Sequence, residues 1–104
     1  MAERRRVPRF AFGGAAEITI VHPYAHIVGS TVELSRFGCL VRTDASIPVG
    51  TKVNLKIACE DVVFNAAGEA VYGFAEYGVG IRFTKIVSED MSILKAWLSP
   101  DGKF

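Results

Sequence analysis

The stretch TKVNLKIA, residues 51–58, alternates strictly: Val53, Leu55 and Ile57 are apolar, while Lys52, Asn54 and Lys56 are polar. A period of two matches the pleat of a strand and no helix, so this segment must turn one face to a core and the other to water. The same pattern recurs along the chain. Ala16, Ile18 and Ile20 alternate with Glu17 and Thr19, and Val32 and Leu34 oppose Thr31, Glu33 and Ser35. Phe37, Cys39 and Val41 share one side of the next run, and Val79, Ile81 and Phe83 oppose Arg82 and Thr84 near the end. VVFNAAGEAVYGF, residues 62–74, reads as two strand pieces around the small residues 66–68. Turns or irregular connections are expected at HPYAHIVGS (22–30), DASIPVG (44–50) and AEYG (75–78), where Pro and Gly break the pattern. Many short strands at this spacing favour a closed barrel or a sandwich, because closure removes exposed edges.

Only the last element has a helical period. In SEDMSILKAWLSP, residues 88–100, Met91, Leu94 and Leu98 recur at helix spacing with Trp97 beside them. Ser88 is placed to cap this helix, Glu89 and Asp90 suit the positive end of its dipole, and Pro100 and Gly102 end it.

A chain of 104 residues is one domain, and 50% hydrophobic with 22% charged residues describes a folded core rather than a disordered segment. The formal net charge of +1 excludes a molecule that binds polyanions over its whole surface. No apolar run reaches the roughly 18 residues that cross a bilayer, so membrane insertion is not expected. The first residues are charged without a following apolar region, which is not a secretory signal. A cytoplasmic location is therefore expected, with Cys39 and Cys59 reduced.

Positive charge is concentrated in RRRVPRF, residues 4–10. Arg5 and Arg9 are four apart, and Pro8 argues against a helix through them. In an extended arm they lie on one side, roughly 13 Å apart at about 3.3 Å per residue, and a bend at Pro8 brings them closer. Their guanidinium forks suit phosphate oxygens and the O6/N7 edge of guanine; a solvated tail is the plainer reading. The second stretch is ELSRFGC, residues 33–39. Ser35-Arg36-Phe37-Gly38 fits a four-residue turn, with Glu33 and Ser35 on one face of the strand leading into it. The Glu33 carboxylate can accept from the N1–H and exocyclic amine of a guanine, which complements donor-only arginines. An ordinary polar face running into a turn would look the same.

Taken together, an Arg-x-x-x-Arg arm followed by acidic-x-Ser-x-x-Gly at a strand end resembles the PilZ domain family, whose motifs are RxxxR and [D/N]xSxxG. IPVGTKVNLKI is similar to that family's proline–glycine loop and strand, and GEAVYGFAEYGVGIRFTKI to its closing hairpin. The resemblance runs from Arg4 to about Trp97. It implies an all-β, six-stranded antiparallel split barrel with a short C-terminal helix: residues 1–9 as a flexible Arg-rich arm, 10–86 as barrel and 88–98 as helix of a single domain. It also implies a stand-alone, non-enzymatic receptor for the bacterial second messenger cyclic di-GMP. The arm would close over the ligand and alter a surface read by a downstream protein. Carried over by position, Arg5 and Arg9 grip phosphates and guanines. Ser35 and Gly38 hold the strand end, Glu33 replaces the family's Asp or Asn, and Arg4 and Arg6 are additional phosphate contacts. A monomer or a ligand-bridged dimer is expected, with no cofactor beyond the ligand. Glu33 is one methylene longer than Asp, which supports an alternative: a PilZ-like protein–protein module that has lost the ligand.

Other chemistries lack their residues. Pro23 breaks the helix that would place His22 and His26 on one face, and two distant cysteines make no zinc set. No G-x-S-x-G elbow or phosphate loop is present, and GVGIRF lacks the third glycine of a dinucleotide fingerprint. The aromatics Phe10, Phe12, Tyr72, Phe74, Tyr77 and Phe83 follow strand period, so most belong to a core. Without a basic face beyond the arm, a nucleic-acid polymer is not the expected partner.

Overall fold

The computed structural model describes residues 10–74 and 78–99. Its strands are β1 (Phe10–Ile20), β2 (Ala25–Leu34), β3 (Gly38–Arg42), β4 (Lys52–Cys59), β5 (Val62–Phe74) and β6 (Gly78–Lys85), followed by one helix, α1 (Ser88–Trp97). All neighbouring pairs are antiparallel, and the order β1-β2-β3-β6-β5-β4 is closed by pairing of β4 with β1. The six-stranded antiparallel barrel with a short C-terminal helix is therefore the architecture, and closure joins the outermost strands so that the sheet has no edge to expose. The expected arm at 1–9, the connection at 75–77 and the stop at Pro100 and Gly102 lie outside the described residues.

Alternation builds the core. Ala16, Ile18, Ile20, Val53, Leu55, Ile57, Val79 and Ile81 point inward as their strand period requires, around Phe64, Leu34 and Val41. Ile47, in the loop between β3 and β4, is also buried. That loop ends in a turn in which the Thr51 N–H donates to the Pro48 carbonyl at 3.1 Å, with Gly50 at φ 93°. A positive φ at the third turn position is the type II geometry that calls for glycine. The β4–β5 hairpin is tighter: Cys59 pairs with Val62, and the intervening Glu60 and Asp61 have φ of 52° and 71°. This is the type I′ pattern, filled here without a glycine.

Helix α1 packs on the barrel. Leu94 is fully buried, and Trp97 lies 4.8 Å from the Phe12 ring and 6.0 Å from the Phe64 ring. Asp90 accepts a hydrogen bond from the Asn65 N–H at 2.9 Å, fixing the first turn of the helix to β5.

Four local expectations are corrected. Thr31 faces inward and is completely buried, because the β2–β3 register slips between Thr31 and Glu33 and inverts the parity of the strand. Phe37 is 58% exposed rather than aligned with Cys39 and Val41, since it sits in the turn before β3. The small residues 66–68 do not interrupt β5, which is continuous; at Gly68 a side chain would meet Ile81 and the Arg82 carbonyl, so the glycine serves close strand approach. Ser88 opens the helix rather than capping it: Val87 holds the cap position and makes no side-chain capping bond.

Candidate functional site

The turn between β2 and β3 is organised by Ser35. Its N–H donates to the Gly38 carbonyl at 2.9 Å, and its hydroxyl donates to the same carbonyl at 3.3 Å. The hydroxyl oxygen also accepts from the N–H groups of Phe37 and Gly38, at 3.3 and 3.2 Å. One serine thus ties the two ends of the turn together, as the sequence anticipates from Ser and Gly at those positions. Gly38 is required for a second reason. A β-carbon there would overlap the Ile81 carbonyl of β6, so β3 and β6 approach this closely only because residue 38 has no side chain.

Behind the turn, strand register lays out the outer face in rows. Glu33 pairs with Leu40, Leu40 with Gly80, and Gly80 with Tyr72. In the next row Gly38 pairs with Arg82, Arg82 with Glu69, and Glu69 with Lys52. A bulge in β5 between Ala70 and Tyr72 turns both Val71 and Tyr72 toward this face. The Tyr72 ring lies over Gly80, where any side chain would collide with it. Together these residues form an open cleft of about 190 Å³ lined by Glu33, Ser35, Gly38, Tyr72 and Arg82.

Charge in the cleft is arranged rather than scattered. Arg82 donates to the Glu69 carboxylate at 2.7 Å, and Lys52 stands 3.9 Å from the same oxygen. The guanidinium is 54% exposed at the cleft wall and retains further donors. Glu33 contributes an acceptor-only group across the row from the Tyr72 ring. The floor is less reactive: burial pushes the Cys39 thiol up to about 12, so it stays protonated at neutral pH and is a poor nucleophile. An aromatic ring, a carboxylate and a guanidinium around a shallow floor suit a planar heterocycle carrying both donors and acceptors. No group of three or more metal-ligating side chains occurs among the described residues.

Glu33, Ser35 and Gly38 are therefore brought together as the sequence suggests. Arg4, Arg5, Arg6 and Arg9 lie outside the described residues. The point where the arm joins the barrel is nonetheless fixed: β1 begins at Phe10, which pairs with Leu34, the residue between Glu33 and Ser35. Sequence reasoning missed Tyr72, Arg82 and Glu69 as neighbours of the site. Arg82 points outward as its strand period predicts, but its meeting with Glu69 and the turn of Tyr72 toward the cleft depend on cross-strand register and on a bulge, neither of which a single strand's pattern carries.

The described residues thus form a closed six-stranded barrel with an open cleft at the β2–β3 turn. The PilZ domain family model matches residues 3–99, and the chain belongs to this family. PilZ domains are generally non-enzymatic receptor domains. Comparison with curated proteins finds no match. Solved structures with the same fold include the Bacillus subtilis inhibitor of motility MotI/DgrA, at 17% identity and TM-score 0.71 over 89% of this chain and 48% of that one. The chain thus spans about half the length of MotI. The PilZ domain of CeSA from a cellulose-synthesizing bacterium matches at 16% identity and TM-score 0.68, over 85% of this chain and 92% of that one. The PilZ domain of YcgR from Escherichia coli, solved with c-di-GMP, matches at 14% identity and TM-score 0.67, over 89% and 87%.

Proposed function

We propose that this chain is a receptor for cyclic di-GMP in bacterial second-messenger signalling. The observation that carries the reading is the convergence of Glu33, Ser35 and Gly38 on one open cleft whose rim is also where the arginine-bearing arm joins the barrel. In this reading Arg5 and Arg9, with Arg4 and Arg6 as further contacts, close over the ligand and hold its phosphates and guanines. Glu33 accepts from a guanine edge, and Ser35 and Gly38 keep the turn in shape. YcgR, a fold neighbour solved with c-di-GMP, supports the ligand class. In this reading residues 1–104 form one PilZ domain that works in the cytoplasm, as a monomer or ligand-bridged dimer. It transmits the signal by presenting an altered surface to a downstream protein and uses no cofactor.

Calorimetric titration with cyclic di-GMP, beside GTP and cyclic di-AMP, tests this. Selective saturable binding is expected, and Arg9→Ala should abolish it without shifting the melting temperature of the ligand-free protein. A drop in that temperature would make Arg9 structural.

Glu33 favours a second reading, a PilZ-fold adaptor that binds protein and no nucleotide, because its carboxylate is displaced by one methylene from the family's Asp. Glu33→Asp separates the two. Binding that appears or strengthens in the variant keeps the receptor reading, whereas silence in both proteins selects the adaptor.

A further inference from the structure

A second depression lies on the other side of the β2–β3 turn. It is a groove of about 830 Å³ between α1 and the end of β6. Its floor is apolar, built from Phe83, Ile86, Met91 and Leu98, each only partly buried. Arg36, Lys85 and Lys95 stand along its rim, all three exposed, and no carboxylate lines it among the described residues. Neither Lys85 nor Lys95 has an ion-pair partner among the described residues. Lys95 also answers the negative end of the helix dipole; Lys85 has no such reason to be there.

Phe37 lines both this groove and the cleft that holds Glu33 and Gly38. Its carbonyl accepts from the Phe83 N–H at 2.8 Å, which ties the motif turn to the groove floor. The guanidinium of Arg36 lies over the Phe37 ring, 5.3 Å from its centroid, which places a cation against the shared wall.

We propose that the groove between α1 and β6 docks a segment of a partner protein that carries apolar anchors flanked by Asp or Glu, and that the Arg36–Phe37 turn, as the wall shared with the ligand cleft, couples the two sites. The coupling rests on the receptor reading above; the docking does not. Concavity and an apolar floor suit side chains inserted from a peptide, and three rim cations with no carboxylate beside them among the described residues select an acidic one. A flat anionic membrane would use the cations and leave the floor uncovered. By linkage, a partner favoured by the ligand-bound turn must tighten ligand binding by the same factor.

The test is selection of a displayed library of random 12-residue peptides on the full chain without nucleotide, with counter-selection on a Lys85→Glu/Lys95→Glu variant. Enriched peptides are expected to combine Leu, Ile, Phe or Trp with Asp or Glu. They should lose at least tenfold affinity for the double variant and for Phe37→Ala, and shift the backbone amide resonances of Phe83, Met91 and Leu98. Failure to enrich, enrichment of non-acidic peptides, or resonance shifts elsewhere would overturn the docking site. So would sedimentation with phosphatidylglycerol vesicles that depends on Lys85 and Lys95, which would assign the surface to lipid. A selected peptide is then titrated with and without cyclic di-GMP. Equal affinities in a chain that binds the nucleotide overturn the coupling alone, whereas absence of nucleotide binding overturns the receptor reading and leaves the groove result standing.

Discussion

Thr31→Val should make the protein more stable. Thr31 is the one polar residue buried among the described residues, and its hydroxyl has no hydrogen-bond partner. It faces inward because of the register slip at Glu33, so the hydroxyl gave up water on folding and received nothing in return. A buried polar group left unpaired costs about 1–3 kcal/mol. Valine keeps the branched shape and replaces the hydroxyl with a methyl, whose burial adds about 0.8 kcal/mol in the same direction. The expected gain is about 2–4 kcal/mol, and each kcal/mol raises the melting temperature of a domain this size by about 4–8 °C. Urea unfolding followed by circular dichroism should show a higher midpoint with an unchanged slope. Thr31→Ser, which keeps the hydroxyl and removes the methyl, should be less stable than wild type. A Thr31→Val protein that melts at or below the wild-type temperature would refute the reasoning, because it would mean the hydroxyl is satisfied inside the barrel.

Other outcomes follow from the same geometry. Gly38→Ala forces a β-carbon against the Ile81 carbonyl; separation of β3 from β6 should cost about 2 kcal/mol or more in urea unfolding, and calorimetry should show loss of cyclic di-GMP binding. Replacing Glu60-Asp61 with Asn-Gly supplies the residues that the two positive φ angles favour, so thermal unfolding should show a gain of about 1 kcal/mol. For Cys39, the folded thiol holds its proton up to about 12 against an ordinary 9.0, so between those values the unfolded state ionises and the folded state does not. Stability should therefore be full below pH 9 and fall as pH rises toward 12, by up to about 1.4 kcal/mol per pH unit, with a shallower fall in Cys39→Ala.

Where the chain keeps a strict period of two, sequence and structure agree: β1 and β4 bury the residues their alternation marks, and α1 buries Leu94 as its helical spacing demands. Disagreement begins where the backbone inserts or turns. A bulge reverses parity without changing composition, so Thr31 looks like an outward residue and Tyr72 like a core one until the register is known. Phe37 fails for a related reason, since an alternation counted through a turn has no meaning on its far side. Gly68 reads as a break because a strand's own sequence does not reveal how near its neighbour runs. The site divides in the same way. Glu33, Ser35 and Gly38 are legible because turn chemistry is local, but Arg82, Glu69 and Lys52 belong to three strands and become neighbours only through pairing.

The position of Trp97 makes the protein its own optical instrument. It is the chain's single tryptophan, held against Phe12 and Phe64 on the buried side of α1. Phe12 lies two residues beyond the point where the arginine arm joins β1, and α1 forms one bank of the apolar groove. Intrinsic fluorescence, excited selectively at the indole, is thus sensitive to the seating of the helix and to the start of the first strand. Events at the arm and at the groove can be followed in unlabelled protein, and a red shift that precedes loss of the β-sheet signal would time the release of the helix from the barrel.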